Sequence, residues 1–166
     1  MKYRQATRDD VPRIMEIIGQ AQAQMRALGS DQWQDGYPAR GDIEGDIAAQ
    51  YGMIAHDDTS VIGYAAVVFD GEPAYAQIDG AWLSADDYVV VHRLAVADEA
   101  KQQGVATEVM RHVELLARTR GCGSFRIDTA EDNHYMQRMI ARLDFQFCGI
   151  IHYASGVRWA YEKSLK

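Results

Sequence analysis

Apolar residues near the start of the chain recur every three or four positions. Val11, Ile14, Ile18, Ala21, Met25 and Leu28 therefore predict an amphipathic helix, entered from a short strand over residues 2–6. Asp9 or Asp10 is placed to cap it, and Pro12 is tolerated in its first turn. Gly19 predicts a break into two pieces and Gly29 its end. The polar stretch "SDQWQDGYPARGD", residues 30–42, reads as a loop, followed by a short helix over 42–50. Two β-prone runs, 51–56 and 60–69, flank the turn "HDDTS" and predict a hairpin. Residues 70–86, with Gly71, Pro73 and Gly80, read as irregular. A strand over 88–96 follows, then a helix with Val105, Val109, Val113, Leu116 and Ala117 on one stripe. Its end at Arg118, Arg120 and Gly121 suits the negative pole of a helix dipole. The remaining pattern is a strand "SFRIDT", a helix "NHYMQRMIARL", and β-prone stretches at 145–153 and 157–162. A strand–helix–strand unit over 88–129 implies a parallel pair, whereas the hairpin is antiparallel. The expected class is α/β, with a mixed sheet of six or seven strands and helices on both faces.

The length of 166 residues suits one domain, and 48% hydrophobic with 25% charged residues describes an ordinary globular chain. No apolar run approaches the ~20 residues of a membrane span, and "MKYRQATRDD" carries no signal-peptide core. The net charge of -7 argues against a nucleic-acid partner. Cys122 and Cys148 lack metal-site spacing and make no disulfide framework, so a reducing cytoplasm and no metal are expected.

The segment "VHRLAVADEAKQQGVATEVM", residues 91–110, carries the candidate chemistry. A strand ends at an acidic turn, and Lys101, Gln102 and Gln103 precede Gly104 where the next helix opens. Helix N-termini leave N–H groups unpaired and bind phosphate, and a glycine there lets backbone approach a bulky ligand. Ala106 and Thr107 extend that room, while Lys101 and Gln103 can turn their side chains toward the same anion. The stretch reads as a diphosphate cradle, although neither GxxxxGK[ST] nor GxGxxG is present. On the short motif alone, a plain strand-to-helix turn at Gly104 explains the residues equally well.

"HRLAVADEAKQQGVATEVMRHVELLA" resembles the acetyl-CoA-binding segment of the GNAT acetyltransferase superfamily: Leu94 and Val96 close the strand, and Lys101, Gly104 and Ala106 follow in the Arg/Gln-x-x-Gly-x-Gly/Ala pattern. Lysine at the first position is a departure that keeps a cation. The likeness extends over residues 128–151, where Asn133 opens the next helix and Phe145 closes it, with Asp144 where glycine is usual. The resemblance implies a central mixed sheet whose parallel strands splay at the cofactor site. It implies that Leu94, Ala95 and Val96 pair with the pantetheine arm, that the amides of Gln102, Gln103, Gly104, Val105, Ala106 and Thr107 hold the pyrophosphate, and that Asn133 reaches the same ligand. It also implies direct acetyl transfer to an amine, with a strand N–H near Val96 polarising the carbonyl and a base taking the amine proton.

The two usual proton-handling positions of the family fall at Val90 and Ile140, which are inert. His92 is the candidate base, placed on the same strand face as Val90 and Leu94 by alternation. "HRLAV" followed by "KQQGVA" further resembles the arylalkylamine acetyltransferase branch, in which a strand histidine helps to move the amine proton. Tyr135 is the candidate acid, with a packing role as its alternative. On the acceptor side, Trp33 and Tyr37 lie among Asp31 and Asp35, and Tyr75 with Trp82 could close the other wall around an ammonium or aromatic amine. Anchoring of the loops by these aromatics is the competing explanation, and Asp128 either touches the site or holds a loop. The expected partner is a small-molecule amine, and a homodimer is an admitted assembly. A non-catalytic acyl-CoA sensor and an acetyltransferase of protein N-termini or lysines are the alternatives.

Overall fold

The hairpin around "HDDTS" forms as strands β2 (Gly52–His56) and β3 (Val61–Val68), with Met53 opposite Ala65 and Ile54 opposite Tyr64. Asp57 makes its turn: one carboxylate oxygen accepts from the N–H groups of Thr59 and Ser60 at 2.7 and 2.8 Å. The computed structural model describes all residues 1–166. Its further strands are β1 (Lys2–Gln5), β4 (Asp79–Gly80), β5 (Tyr88–Val96), β6 (Ser124–Thr129), β7 (Gln146–Tyr153) and β8 (Gly156–Ser164). Four α-helices complete it: α1 (Val11–Ala27), α2 (Arg40–Ala48), α3 (Val105–Thr119) and α4 (His134–Arg142). The sheet is mixed, in the order β1-β2-β3-β5-β6-β8-β7-β4. β5 and β6 are the parallel pair, Tyr88 facing Ser124 and Val90 facing Arg126.

The sheet has eight strands rather than six or seven, because the segment read as irregular is ordered. Glu72 accepts from the Ala74 N–H at 3.1 Å and starts a 3-10 turn over Pro73–Gln77, after which Asp79–Gly80 pairs with β7. This pairing exists because both facing residues are glycine. A Cβ at Gly80 or Gly149 would stand 2.2 Å from a backbone oxygen across the pair. The single helix α1 is likewise unbroken at Gly19. Nothing stands within 4 Å of where its side chain would be, and the cost of about 1 kcal/mol for a helical glycine is offset by burial of Ile14, Ile17 and Ile18.

The chain divides into two compact units. The first comprises Met1–Val67 and His92–Val109, with a core built on Ile14, Ile17 and Ile18 of α1, Ile43 of α2, and Ile54 and Tyr64 of the hairpin. The second comprises Val68–Val91 and Met110–Lys166. It buries Val89, Val90, Val113, Phe125, Ile127, Ile140 and Ile151, and Phe125 meets the edge of Phe145 at 5.0 Å.

All four helices stop in the same way, with a left-handed residue whose N–H and that of its successor bond back into the last turn. The left-handed residues are Gly29, Gln50, Gly121 and Asp144, and the longer return bonds run from Ser30 to Met25, Tyr51 to Asp46, Cys122 to Ala117 and Phe145 to Ile140. Asp144, at φ 66, thus fills a site that favours glycine, and it puts a carboxylate at the negative pole of α4. Asp144→Gly is expected to stabilise the protein by about 0.5–1 kcal/mol, raising Tm by about 1–3 °C. Calorimetry of the variant, with Asp144→Asn to separate charge from backbone strain, checks this.

Candidate active site

The residues singled out between positions 92 and 107 lie in the second half of β5, a tight connection, and the first turn of α3. The end of β5 is tied to the first unit by two bonds: Ala97 N–H donates to Ile62 C=O at 2.9 Å, and Asp98 N–H donates to Gln20 Oε1 at 2.8 Å. A 3-10 turn over Asp98–Ala100 follows, and Ala100 is buried. The chain then passes through two left-handed residues, Gln102 at φ 62 and Gly104 at φ 78, and enters α3.

The first bond of α3 runs from Glu108 N–H to Gly104 C=O at 3.0 Å, so the N–H groups of Val105, Ala106 and Thr107 lie in the first turn, where helical amides have no intrahelical acceptor. Two left-handed residues just before a helix N-terminus turn backbone amides toward one side, and such an arrangement suits a phosphate. At Gly104 nothing stands within 4 Å of where a Cβ would project. The connection therefore combines a helix N-terminus with open space, and a pyrophosphate-bearing group fits it.

The side chains in front of the glycine behave otherwise than the sequence suggests. Lys101 sends both its N–H and its ammonium to Asp98, and the Gln103 amide donates to Glu99 C=O at 3.0 Å. The cradle is thus one of backbone amides, starting at Gln102. The Lys101–Asp98 pair is solvent-facing on the aspartate side, which is 58% exposed. Such a pair is worth less than about 1 kcal/mol, so the ammonium is available to an incoming phosphate.

His92 is half-buried in β5. The alternation argument that put it on one face with Leu94 does not hold, because Arg93 between them has φ 55. A left-handed residue interrupts the pleat, so side-chain direction no longer alternates across it. Arg93 was not anticipated as a site residue. Its guanidinium grips Asp46 of α2 at 2.8 and 2.5 Å, and its third nitrogen donates to the Tyr37 hydroxyl at 2.7 Å. Asp46 also accepts from the Tyr64 hydroxyl at 2.6 Å. Burial acts to lower the Arg93 pKa, but the hydrogen bonds to Asp46 and Tyr37 outweigh it and hold the guanidinium above its ordinary value. Burial, then the bond to Asp46, pushes the Tyr64 phenol up, so it stays a donor. The signal in the sequence was a lone cation inside the β-prone run "VVVHRLAV".

Tyr37 itself is exposed, in a loop stitched to α1 by side-chain amides. Gln22 donates to Tyr37 C=O at 3.1 Å, and Gln34 donates to Gln22 C=O at 2.9 Å. Trp33 is half-buried in the same loop, with Asp31 and Asp35 exposed around it. His92, Leu94, Ala95, Val96, the cradle, Trp33 and Tyr37 all belong to the first unit.

Asn133, Tyr135 and Tyr75 belong to the second. Asn133 caps α4, its carboxamide oxygen accepting from Met136 N–H at 3.1 Å. Tyr135 follows on that helix, 58% exposed. Tyr75 is a correction: at 1% exposure it offers no face to an acceptor. Its hydroxyl donates to Asp128 at 2.6 Å, its carbonyl accepts from the Trp82 indole at 2.9 Å, and its ring lies against Trp82 and Tyr88. Burial and the neighbouring Asp128 push its phenol well above the usual range. Asp128 also accepts from Tyr153 at 3.0 Å, so it holds the loop. Trp82 lies over Arg126, which Tyr88 also covers, with ring centroids 4.3 and 4.0 Å from the guanidinium carbon. Val90 and Ile140, the two apolar replacements, are fully buried.

The fold defines a class: α/β proteins with a mixed sheet in which a parallel strand leads through a glycine turn into a helix N-terminus. The model of the acetyltransferase (GNAT) family matches residues 18–145. A GNAT-family acetyltransferase from Streptococcus agalactiae is 35% identical, with a TM-score of 0.89 over 98% of this chain and 94% of that one. A second, from Listeria monocytogenes, is 20% identical at a TM-score of 0.78, over 98% of this chain and 94% of its own. An acetyltransferase from Salmonella typhimurium, solved with its cofactor acetyl-CoA, shares the fold at 15% identity and a TM-score of 0.70, over 100% of this chain and 94% of that one. Among curated proteins nothing matches. The chain belongs to the GNAT acetyltransferase family, and it is an acyltransferase that uses acetyl-CoA. No helix is long and apolar enough to cross a membrane.

Proposed function

We propose that the chain transfers an acetyl group from acetyl-CoA to the nitrogen of a small-molecule amine, acting as a single domain. The observation that carries the reading is the opening of α3 directly after the left-handed Gly104, whose Cβ direction is open space. The family match over residues 18–145 supports the single domain, since it runs through both compact units.

Bound acetyl-CoA supplies an activated acetyl thioester. The chain's own residues do the rest. The amides of Gln102–Thr107 hold the pyrophosphate, and the backbone of Leu94–Val96 pairs with the pantetheine arm and offers an N–H to the thioester carbonyl. His92, the residue that "HRLAV" shares with the arylalkylamine branch, takes the proton from the attacking amine, directly or through one water. Tyr135, exposed at the start of α4, is the proposed donor to the departing sulfur. Trp33 and Tyr37, among the carboxylates of their loop, face the cationic acceptor.

A ligand held only by the folded state stabilises it by RT ln(1 + [L]/Kd), about 2.7 kcal/mol at a hundredfold excess over Kd. Saturating CoA is therefore expected to raise Tm by several degrees, and an unchanged Tm at millimolar CoA would remove the cofactor assignment. Thiol release from acetyl-CoA with polyamines, arylalkylamines, amino acids and peptides then identifies the acceptor class. Release with peptides alone would replace the small-amine reading by that of a protein acetyltransferase.

A further inference from the structure

Arg93 is a long side chain in a backbone conformation that costs a non-glycine residue about 1–2 kcal/mol, in the middle of a strand. Such a residue persists only where its surroundings over-determine it. Here they do so through polar bonds. Both carboxylate oxygens of Asp46 are engaged by the guanidinium, Tyr64 holds the same carboxylate from β3, and Tyr37 takes the remaining nitrogen from the loop after α1. The ion pair is largely out of water, with side-chain exposures of 15% for Arg93 and 6% for Asp46. A carboxylate so placed is costly unless paired. The pair thus acts as a clasp from α2 onto one residue of β5, and that residue separates His92 from Leu94.

We infer that Arg93, clasped by Asp46, is a positioning residue for acyl transfer: it holds the left-handed turn of β5 that sets the direction of the His92 side chain and of the Leu94–Val96 amides. This rests on the reading that those amides receive the donor's arm. Through Tyr37, the same clasp ties the loop of Trp33 to the strand, so that the acceptor-side aromatics and the proton-handling residue share one anchor.

The test uses the full chain. Arg93→Gly removes the clasp and at the same time relieves the backbone strain, and Asp46→Asn keeps the shape and the Tyr64 bond while weakening the grip. Three readouts are compared: Tm, CoA affinity, and kcat for thiol release from acetyl-CoA with the fastest amine of the panel. CoA affinity is expected to fall by less than kcat does, because the Leu94–Val96 contacts to the pantetheine arm weaken while the Gln102–Thr107 amides are untouched. The kcat is expected to fall by about tenfold or more in Arg93→Gly, on the scale of a misplaced catalytic group, and by less in Asp46→Asn. Backbone amide NMR supplies a readout independent of the acceptor. Signals of Leu94, Ala95 and Val96 that differ between acetyl-CoA and CoA in the wild type are expected to lose that difference in Arg93→Gly. Wild-type kcat per folded molecule together with an unchanged acetyl-dependent shift would overturn the inference and leave Arg93 a stabilising residue only. Absence of any CoA response in the wild-type protein would instead overturn the reading of the site on which it depends.

Discussion

Gly104→Val is expected to weaken CoA binding at least about a hundredfold, equivalent to ~2.7 kcal/mol or more, while leaving a folded protein. Two effects act together. The first is steric: the wild-type backbone leaves open space where the Cβ would point, and a branched side chain would fill the volume proposed for the pyrophosphate. The second is conformational. At φ 78 a valine is strained, so the turn moves toward ordinary values and the amides on either side swing away from a common focus. The fold survives because a side chain at Gly104 would meet no packed neighbour and α3 is anchored by Val105, Val109 and Val113. Titration calorimetry with CoA, beside circular dichroism, is the measurement. Gly104→Ala separates the two effects, since it carries the conformational penalty with much less bulk. A native spectrum with wild-type CoA affinity in Gly104→Val would reduce Gly104 to a turn residue and move the ligand elsewhere.

His92→Ala is expected to lower turnover by roughly 10²–10⁴-fold, the scale of general base catalysis, with CoA affinity barely changed. Val90 and Ile140, where the family resemblance places the usual proton-handling side chains, are apolar and fully buried, so neither can substitute. His92 stands on β5 next to the clasped Arg93, ahead of the amides assigned to the donor's arm. The reactive amine must be neutral, so loss of its base affects the chemical step and not the pyrophosphate contacts. Near-wild-type turnover would return His92 to a packing role and leave proton removal to a water chain.

The pattern of residues was sufficient for the order of elements because that order follows from local rules. Ile14, Ile18 and Ala21 at helical spacing define α1, "HDDTS" makes a tight turn through Asp57, and Asn133 caps α4. The passage from β5 through Gly104 into α3 was legible for the same reason, since a strand, a glycine and a helix start lie within a few residues of one another. Gly80 and Gly149, by contrast, are far apart in sequence, and their mutual approach, which adds an eighth strand, has no local signature.

What the sequence by itself determined is therefore the α/β class, the order of elements and the C-terminal stops of α1 and α3 at Gly29 and Gly121, all of them consequences of short-range backbone chemistry; the expected cap of α1 by Asp9 or Asp10 is not made, since the Asp10 side chain bonds Thr7 and Arg4 instead. Only the tertiary structure decided which polar side chains were already committed. Lys101 and Gln103 fold back onto Asp98 and Glu99, Tyr75 is consumed by Asp128, and Arg93 is fastened to Asp46. A charge or a phenol in a sequence shows what it can donate, but its partner is chosen by packing. The hydrogen bonds of Arg93 reach Asp46 of α2 and Tyr37 of the loop after α1, and Asp46 is held in turn by Tyr64 of β3, segments that meet only once the first unit has folded.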